Sequence, residues 1–287
     1  MTHYLSIVLP AKNEAENLKT VLPSLCGRFK NSEIIVVDDG STDDTVDVCA
    51  QFEVTLLSHP YSMGNGAAIK SGARLASGDV LVFMDADGQH DAADITRLVQ
   101  RLEQGYDMVV GARARAGQQG IGRHLANSLY NRLASWMVGQ PVLDLTSGFR
   151  VVRAERFREF LYMLPNGFSY PTTSTMAFFR AGYPVAYEPI KVKSRGGKSH
   201  INLLKDGVRF LLIIFRVGTL YSPLKLFFPI SFFHFALGLG YYVYTYLTQS
   251  RFTNMSVLLF TSAVFIFLIG LISEQITTLL YSRRDDR

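Results

Sequence analysis

Two aspartates separated by one residue follow a hydrophobic run in the segment FMDADGQH, residues 83–90. The run at residues 80–84 is continuously apolar, as expected for a buried strand. In an extended segment, alternate side chains point the same way, so Asp85 and Asp87 would direct two carboxylates to one side, with Gln89 next. Hard oxygen ligands of this kind suit Mg2+ or Mn2+. The motif alone is equally typical of a solvated turn.

Polar residues also follow three other predicted strands. The first strand ends in LPAKNE, which contains Asn13 and Glu14, and the second ends in VVDDGS, which contains Asp38 and Asp39. After the third comes MGNGAAIK, a glycine-rich turn into a helix that carries Lys70. The carboxyl ends of parallel strands meet at one edge of a sheet, where ligands bind. The four strand ends therefore form one candidate site.

The elements that would position these residues alternate between strands and helices. The predicted strands are 5–9, 33–37, 54–57, 80–84 and 108–110. The predicted helices are 17–28, 43–52, 67–76 and 92–104. This alternation predicts an α/β fold with a Rossmann-like, mostly parallel sheet.

The amino-acid composition limits the kinds of ligand or surface that the chain is expected to bind. The 287 residues include 29 Lys and Arg against 24 Asp and Glu, a net charge of +5 that suits phosphorylated ligands, nucleic acid or an anionic membrane. Basic residues occur on both sides of the apolar segments described next and no recognition motif is found, which disfavours nucleic acid. Cys26 and Cys49 have no metal-ligand spacing.

Two long segments, 226–250 and 252–273, contain no charged residue, and only Arg251 lies between them. Each is long enough to span a bilayer, which predicts transmembrane helices at about 226–247 and 255–279. Two buried core helices are the alternative, but these segments are apolar and aromatic all round, which favours the membrane. No basic leader or cleavage site precedes LSIVLP, so no signal peptide is predicted.

The basic residues predict how the chain is oriented. They lie before the first span and after the second, at Arg209, Arg216, Lys225, Arg283, Arg284 and Arg287. The positive-inside rule predicts a multi-pass protein of the cytoplasmic membrane, with both termini and the amino-terminal domain cytosolic. Residues 203–222 form a basic amphipathic pattern, predicted to lie in the membrane interface or, alternatively, to pack against the domain. The predicted organisation is a domain at 1–202, this helix at 203–222 and a membrane hairpin with a short tail at 223–287.

The motifs also carry a family resemblance. In order along residues 4–200, LPAKNEAENL, VVDDGSTDDT, GNGAAIKSGARLASGD, DADGQH, GAR and DLTSGFR closely resemble family 2 glycosyltransferases. Within these, the chain is most similar to the polyprenyl-phosphate sugar transferases related to dolichol-phosphate mannose synthase. The resemblance implies a GT-A fold. It also implies transfer of a sugar from a UDP- or GDP-linked donor to a polyprenyl phosphate, such as undecaprenyl or dolichyl phosphate.

The resemblance further implies roles for matched residues. Those that would contact the nucleotide sugar are Pro10, Asn13, Glu14, Asp38, Asp39, Lys70, Asp85 and Ala86. Those that would hold Mg2+ or Mn2+ are Asp85, Asp87 and Gln89. Those assigned to catalysis are Asp87, Arg113, Asp144 and Arg150. Those that would meet the acceptor phosphate are Arg123, Arg195, Lys198 and Ser199.

The expected chemistry is an inverting displacement without a covalent enzyme intermediate. A lipid phosphate is already anionic near neutral pH and needs little help from a general base, so Asp144 is expected to orient sugar or acceptor. Transfer to another membrane lipid or lipid-linked glycan stays open, as does a non-catalytic scaffold. A processive polysaccharide synthase is disfavoured, because the only tryptophan, Trp136, follows LAS and not the Gln-x-x-Arg pattern of such enzymes.

Glu274 lies within the second span and has two interpretations. Its carboxylate could snorkel to the cytoplasmic interface, or it could pair with a neighbouring protomer, which leaves a homo-oligomer open.

Overall fold

The computed structural model describes residues 4–113, 121–167, 169–192, 215 and 218–282, with backbone only for 121–127 and 280–282. The chain divides into two compact units. The first comprises residues 1–136 and 140–200, and the second comprises 137–139 and 201–287. The predicted interfacial helix at 203–222 lies outside the described residues apart from 215 and 218–222.

The first unit is built on a seven-stranded sheet. Its strands are β1 Leu5–Ala11, β2 Glu33–Asp38, β3 Thr55–Ser58, β4 Val80–Phe83, β5 Met108–Arg113, β6 Arg150–Arg153 and β7 Val185–Ile190. Its helices are α1 Ala15–Arg28, α2 Thr45–Cys49, α3 Asn65–Leu75, α4 Ala92–Leu102, α5 Ile121–Val138, α6 Ala154–Arg158 and α7 Tyr170–Arg180. Helix α5 ends in residues that belong to the second unit.

The sheet is mostly parallel, which confirms the predicted architecture. Its strand order is β3-β2-β1-β4-β6-β5-β7, and only β6 runs antiparallel to its two neighbours. The carboxyl ends of the other six strands therefore lie at one edge. The start of β6 lies there too, because Arg150 pairs with Phe83 of β4 and with Val110 of β5.

The apolar runs form the centre of this sheet. All four residues of β4 are fully buried, as are Ile7, Val8 and Leu9 of β1. Helices α1 and α4 cover one face with apolar side chains at helical spacing, including Leu18, Leu22, Leu25, Ile95, Leu98 and Leu102. A rigid, buried sheet thus supports the polar loops at its edge.

Helix α2 differs most from its predicted extent. The sequence suggested ten residues beginning near Asp43, whereas the helix begins at Thr45 and ends at Cys49. The hydroxyl of Ser41 accepts from the amide of Asn13 and takes no part in capping α2. Residues 41–44 instead connect two loops of the sheet edge.

The second unit contains two long helices, α8 Pro223–Gln249 and α9 Asn254–Ser282. Both are long and apolar enough to cross a membrane, and only 11% and 17% of their most apolar stretches are buried within the protein. Helices in the core of a soluble protein would have a much larger buried fraction. They pack together as the hairpin expected from the sequence.

Small residues spaced by seven form the seam of this hairpin. Ser231, Gly238 and Thr245 are buried on α8, and Ser256, Ala263, Gly270 and Thr277 are buried on α9. Ser231 Oγ donates to the carbonyl of Ala263 at 2.8 Å. A Cβ on Gly238 would lie 3.1 Å from the Cβ of Leu259, so the helices approach closely. A seven-residue period of small side chains is typical of tightly packed membrane helices.

Glu274 has a partner within the hairpin. One carboxylate oxygen accepts from the backbone amide of Leu224 at 3.2 Å, in the first turn of α8. That amide has no partner within its own helix, so Glu274 caps the helix start. Both accounts derived from the sequence, snorkelling and pairing with a neighbouring protomer, omit this contact.

Candidate active site at the carboxyl edge of the sheet

The predicted cation ligands lie in the loop after β4. Asp85, Asp87 and Gln89 are all half-buried, and Asp87 Oδ1 accepts from the amide of Gln89 at 3.1 Å. Strand β4 ends at Phe83, and Asp87 belongs to a turn completed by Gly88 at φ 71°. The turn after β4, and not strand alternation, therefore sets the direction of the two carboxylates, contrary to the sequence argument.

A glycine forms one wall beside Asp85. A Cβ on Gly148 would lie 2.9 and 3.2 Å from the two carboxylate oxygens and 3.3 Å from the hydroxyl of Tyr170. That hydroxyl donates to the carbonyl of Gly148 at 3.0 Å. Any side chain at position 148 would displace the Asp85 carboxylate. Neither residue was among the sequence candidates.

His90 is a second neighbour of Asp85 that the sequence did not identify. Its Nε2 lies 3.9 Å from Asp85 Oδ2, and its ring stacks on Phe149 with centroids 4.8 Å apart. The other ring nitrogen, Nδ1, is buried and has no hydrogen-bond partner among the residues that the structure describes. The imidazole is thus held mainly by stacking, next to a predicted cation ligand.

Arg113 and Asp144 form a bidentate pair at the end of β5. Arg113 Nε and Nη2 donate to the two carboxylate oxygens at 2.8 and 2.9 Å, and Nη2 also donates to Thr146 Oγ1 at 2.5 Å. Asp144 is buried, whereas the Arg113 side chain is 31% exposed. The carboxylate therefore fixes a guanidinium that still reaches solvent.

Electrostatics keep this pair charged. Burial would raise the pKa of Asp144, but the hydrogen bonds and charge of Arg113, together with the amides of Arg113 and Thr146, lower it below its usual value. The hydrogen bond to Asp144 raises the pKa of Arg113, and the charge of Asp85 raises it further. The charges of Asp85 and Arg113 therefore interact. Asp144 is a poor proton acceptor because its pKa is lowered.

Arg150 has a different environment from the one predicted. It is fully buried, and Nη1 donates to the carbonyl of Pro171 and the hydroxyls of Ser174 and Thr175 at 2.7–3.1 Å. Nη2 donates to the carbonyl of Ser147. Burial lowers the pKa of its guanidinium. Arg150 thus ties α7 to the loop before Gly148, so it supports the wall beside Asp85 and does not present its charge to a ligand.

The loops after β1 and β2 are joined through Asn13. Its backbone is left-handed at φ 54°, and its side-chain oxygen accepts from the amide of Thr42 at 2.8 Å. The amide of Glu14 donates to Thr45 Oγ1 at 3.1 Å. Pro10 lies in β1 opposite Val37 and is half-buried. The predicted nucleotide residues of the first strand end therefore lie beside those of the second.

The carboxylate of Asp39 accepts hydrogen bonds from groups of the protein itself. Its carboxylate accepts from Ser62 Oγ and from the amides of Met63 and Gly64 at 2.8–2.9 Å. It also contacts His59 Nδ1 at 2.9 Å, and the other nitrogen of that ring contacts Ser71 Oγ at 2.9 Å. Asp39 thus organises the loop after β3, a role that its sequence position did not reveal.

Its neighbour Asp38 is also buried and accepts from the amide of Ser41 at 2.9 Å. Ala86, between the two predicted cation ligands, is buried as well. The binding roles assigned to these residues stay predictions.

The glycine-rich turn packs against another loop. The amides of Gly66 and Ala67 donate to the carbonyls of Gly167 and Asn166, and a Cβ on Gly66 would lie 2.0 Å from the carbonyl oxygen of Pro165. Lys70 donates to the carbonyl of Leu164 at 3.1 Å and to the side chain of Asn166. The start of α3 is therefore capped by residues 164–167, and Lys70 holds them in place.

The predicted acceptor-phosphate residues lie outside the described side chains. Arg123 is in α5, where only the backbone is described, and Arg195, Lys198 and Ser199 fall in the undescribed residues 193–200. Strand β7 ends at Ile190, which pairs with Arg113 of β5. The last strand of the sheet therefore ends at the edge where Arg113 lies.

The residues after β4 suit a divalent cation by their chemistry. Asp85, Asp87 and Gln89 offer oxygen ligands at half-buried positions within one loop. Within the described residues, no group of three or more His, Cys, Asp or Glu side chains is arranged to hold a metal. This set has two acidic members and an amide, so the residues fit a hard cation that takes further ligands from a phosphorylated substrate.

Comparison with known proteins agrees with this architecture. The Glycosyl transferase family 2 profile matches residues 6–161, and that of the GtrB C-terminal hairpin matches residues 222–279. CsbB of Bacillus subtilis is 28% identical and is aligned over 98% of this chain and 88% of its own length. An undecaprenyl-phosphate 4-deoxy-4-formamido-L-arabinose transferase of Pseudomonas syringae is 32% identical over 60% of this chain and 57% of its own.

A solved structure shows the same fold. Glucosyl-3-phosphoglycerate synthase from Mycobacterium tuberculosis, in complex with Mn2+, UDP and glucosyl-3-phosphoglycerate, superposes with a TM-score of 0.59. It is 24% identical and covers 74% of this chain and 80% of its own. The GT-A fold expected from the sequence is thereby confirmed. The chain belongs to glycosyl transferase family 2, with a carboxyl-terminal hairpin of the GtrB type.

Proposed function

We propose that this enzyme moves a sugar from a UDP- or GDP-linked donor to a polyprenyl phosphate at the cytosolic face of the cytoplasmic membrane, with inversion at the anomeric carbon. The two transmembrane helices hold it there, with the catalytic unit and both termini in the cytosol. The family assignment supports glycosyl transfer. The hairpin, together with relatives named as undecaprenyl-phosphate sugar transferases, supports the lipid acceptor.

The pairing of Arg113 with Asp144 is the observation that carries the proposal. Asp144 is buried, its pKa is lowered, and Arg113 engages both of its oxygens. A carboxylate in this state does not take a proton from a sugar hydroxyl. An acceptor that arrives already ionised, as a phosphate does near neutral pH, needs no such base. The site therefore matches a phosphate acceptor better than a neutral hydroxyl.

The reaction follows from these charges. An acceptor phosphate oxygen forms a bond to the anomeric carbon, and the bond from that carbon to the donor's diphosphate oxygen breaks. The electron pair leaves with the nucleoside diphosphate, whose charge grows in the transition state. Arg113, fixed by Asp144 and partly exposed, can stabilise that charge without reorganising. Direct attack on the face opposite the leaving group inverts the configuration.

Asp85, Asp87 and Gln89 would hold the Mg2+ or Mn2+. When bound, the ion supplies Lewis-acid neutralisation of the leaving diphosphate. Gly148 leaves room for the Asp85 carboxylate, and the turn at Gly88 orients Asp87. Arg150 acts only indirectly, through the loop that it fastens.

The membrane hairpin holds the enzyme where its lipid acceptor lies. A polyprenyl phosphate cannot leave the bilayer, whereas a sugar nucleotide is soluble, so the enzyme must work at the membrane surface. The positive charges at both outer ends of the hairpin support a cytosolic position for that surface.

A transfer assay tests the proposal. The purified full-length chain is supplied with Mn2+ or Mg2+, undecaprenyl phosphate and a panel of labelled UDP- and GDP-sugars, and label entering the lipid phase is measured. We expect transfer from one donor, lost with EDTA and in Asp87→Ala. Donor hydrolysis that needs Asp87 but gives no labelled lipid would retain the cation site and reject the acceptor. A glycosylated enzyme trapped by rapid quench would reject the direct displacement.

A further inference from the structure

The side chain of His90 is buried beside the loop that carries the predicted cation ligands. It is 6% exposed, although it directly follows the half-buried Gln89. Its ring stacks on that of Phe149, with centroids 4.8 Å apart and ring planes inclined by 29°. Phe149 is fully buried in the hydrophobic core. The stack therefore fixes the plane of the imidazole and the directions in which its two nitrogens point.

The two ring nitrogens of His90 have different surroundings. Nε2 lies 3.9 Å from Oδ2 of Asp85, whose side chain is 35% exposed. Nδ1 is buried and has no hydrogen-bond partner within the described part of the chain. A proton on Nδ1 would be a buried donor without an acceptor, whereas a proton on Nε2 faces a carboxylate. The surroundings therefore favour the tautomer of the neutral ring that carries its proton on Nε2.

Backbone also confines the Asp85 carboxylate. A Cβ on Gly148 would lie 2.9 and 3.2 Å from its two oxygens, so the chain passes close to both. Gly148 is itself held by the hydroxyl of Tyr170, which donates to its carbonyl at 3.0 Å. The carboxylate thus has a fixed backbone segment and a fixed imidazole as neighbours, while part of the side chain stays open to a ligand.

We propose that His90 is a positioning residue for the cation site, whose Nε2–H engages Oδ2 of Asp85 so that Oδ1 faces the cation. A separation of 3.9 Å is longer than a hydrogen bond, and a small rotation of the carboxylate on cation binding completes the contact. A ligand oxygen that is oriented in advance binds a cation more tightly than one that rotates freely. The inference rests on the cation site of the proposed function, but on neither the sugar nor the acceptor.

Mn2+ binding tests this role without catalysis. The purified full-length chain is titrated with Mn2+ at a fixed concentration of UDP or GDP, and free Mn2+ is measured by electron paramagnetic resonance against a protein-free baseline. His90→Phe keeps a ring that can stack on Phe149 but has no N–H, so its Mn2+ dissociation constant should rise by about 10- to 100-fold. His90→Gln loses the ring but keeps an N–H donor, and should recover most of the affinity. His234→Phe, in α8, is the control and should leave Mn2+ binding unchanged.

The order of the variants separates positioning from packing. If His90 served only to fill the core, His90→Phe would bind Mn2+ normally and His90→Gln would bind it poorly, and this order would overturn the proposal. A nitrogen coupling to Mn2+ in electron spin echo envelope modulation, lost in His90→Phe, would also overturn it, because the imidazole would then contact the cation itself.

Asp87→Ala in the same titration separates this inference from the proposed function. We expect it to abolish Mn2+ binding. If it does so while His90→Phe binds Mn2+ normally, the positioning role alone fails. If Asp87→Ala binds Mn2+ as the unchanged chain does, the cation site of the proposed function fails, and the positioning role fails with it.

Discussion

At the sheet edge, the buried charged side chains of Asp39, Asp144 and Arg150 each have several hydrogen-bond partners, whereas the buried residues along the hairpin seam are small and uncharged. Asp39 and Asp144 each accept from at least three donors. Along the seam, Gly238 and Gly270 allow close helix contact. The difference is the one expected for a unit in water and, as proposed above, a hairpin in a bilayer. In water, apolar burial holds the sheet and leaves polar networks to set geometry. In lipid, an apolar side chain gains little by contacting another helix instead of a lipid chain. Close packing at small residues therefore determines which helix faces associate.

Asp144→Asn should produce the largest effect, because it removes a buried charge partner from Arg113 and replaces an acceptor oxygen with a donor. We expect a loss of about 3 kcal/mol in unfolding free energy and a fall in transfer rate on the order of 100-fold. Thermal melts and the transfer assay measure both.

Asp94→Asn is the matched control, since Asp94 pairs with Arg97 at the surface. It should cost less than about 1 kcal/mol. A rate loss in Asp144→Asn that depends strictly on pH would instead indicate that Asp144 acts as a base.

Gly270→Ala tests the seam, because the added Cβ would lie 2.7 Å from the Cβ of Phe227. We expect a loss of about 1–3 kcal/mol in hairpin stability, typical of overpacking. Gly240→Ala is the control, since no atom of the described residues lies within 4 Å of its added Cβ. Unfolding in mixed detergent micelles measures both, and equal stability of the two variants would contradict close packing at Gly270.

Acidification should loosen the loop after β3. Burial would raise the pKa of Asp39, but hydrogen bonds from His59, Ser62 and the loop amides lower it overall. A carboxylate with a lowered folded-state pKa stabilises the fold above its unfolded pKa, and this stability is lost as pH falls through the folded value. Protection of the Met63 and Gly64 amides from hydrogen exchange, corrected for intrinsic rates, should therefore fall in acid. Asp39→Asn should lack most of this pH dependence.

Glu274 should give the smallest effect. Glu274→Gln keeps a side-chain oxygen for the amide of Leu224, so stability should change by a few tenths of a kcal/mol, whereas Glu274→Ala should lose about 1 kcal/mol, as for a lost helix cap. Size in detergent, measured by light scattering, should be the same for both. A smaller particle in Glu274→Gln would show that the carboxylate joins protomers.

The sequence was sufficient for the parts whose signal is local. Continuous apolar runs predicted the first five strands, and acidic and polar residues at their ends marked the edge that carries the site. Uncharged segments of more than twenty residues predicted the two hairpin helices. Strand β6 was missed, because a four-residue strand that runs antiparallel between parallel neighbours has no periodic pattern of its own.

The roles of individual charged residues were decided by tertiary structure. Lys70 meets Asn166 across 96 positions of the chain, and Arg113 meets Asp144 across 31. Arg150 is buried by α7, which no motif near Arg150 could indicate. The sequence thus determined which elements form and where their polar ends gather, since strand and span signals lie in neighbouring residues. Which of those polar residues face a ligand, and which hold the loops together, depends on partners that only the folded chain brings into contact.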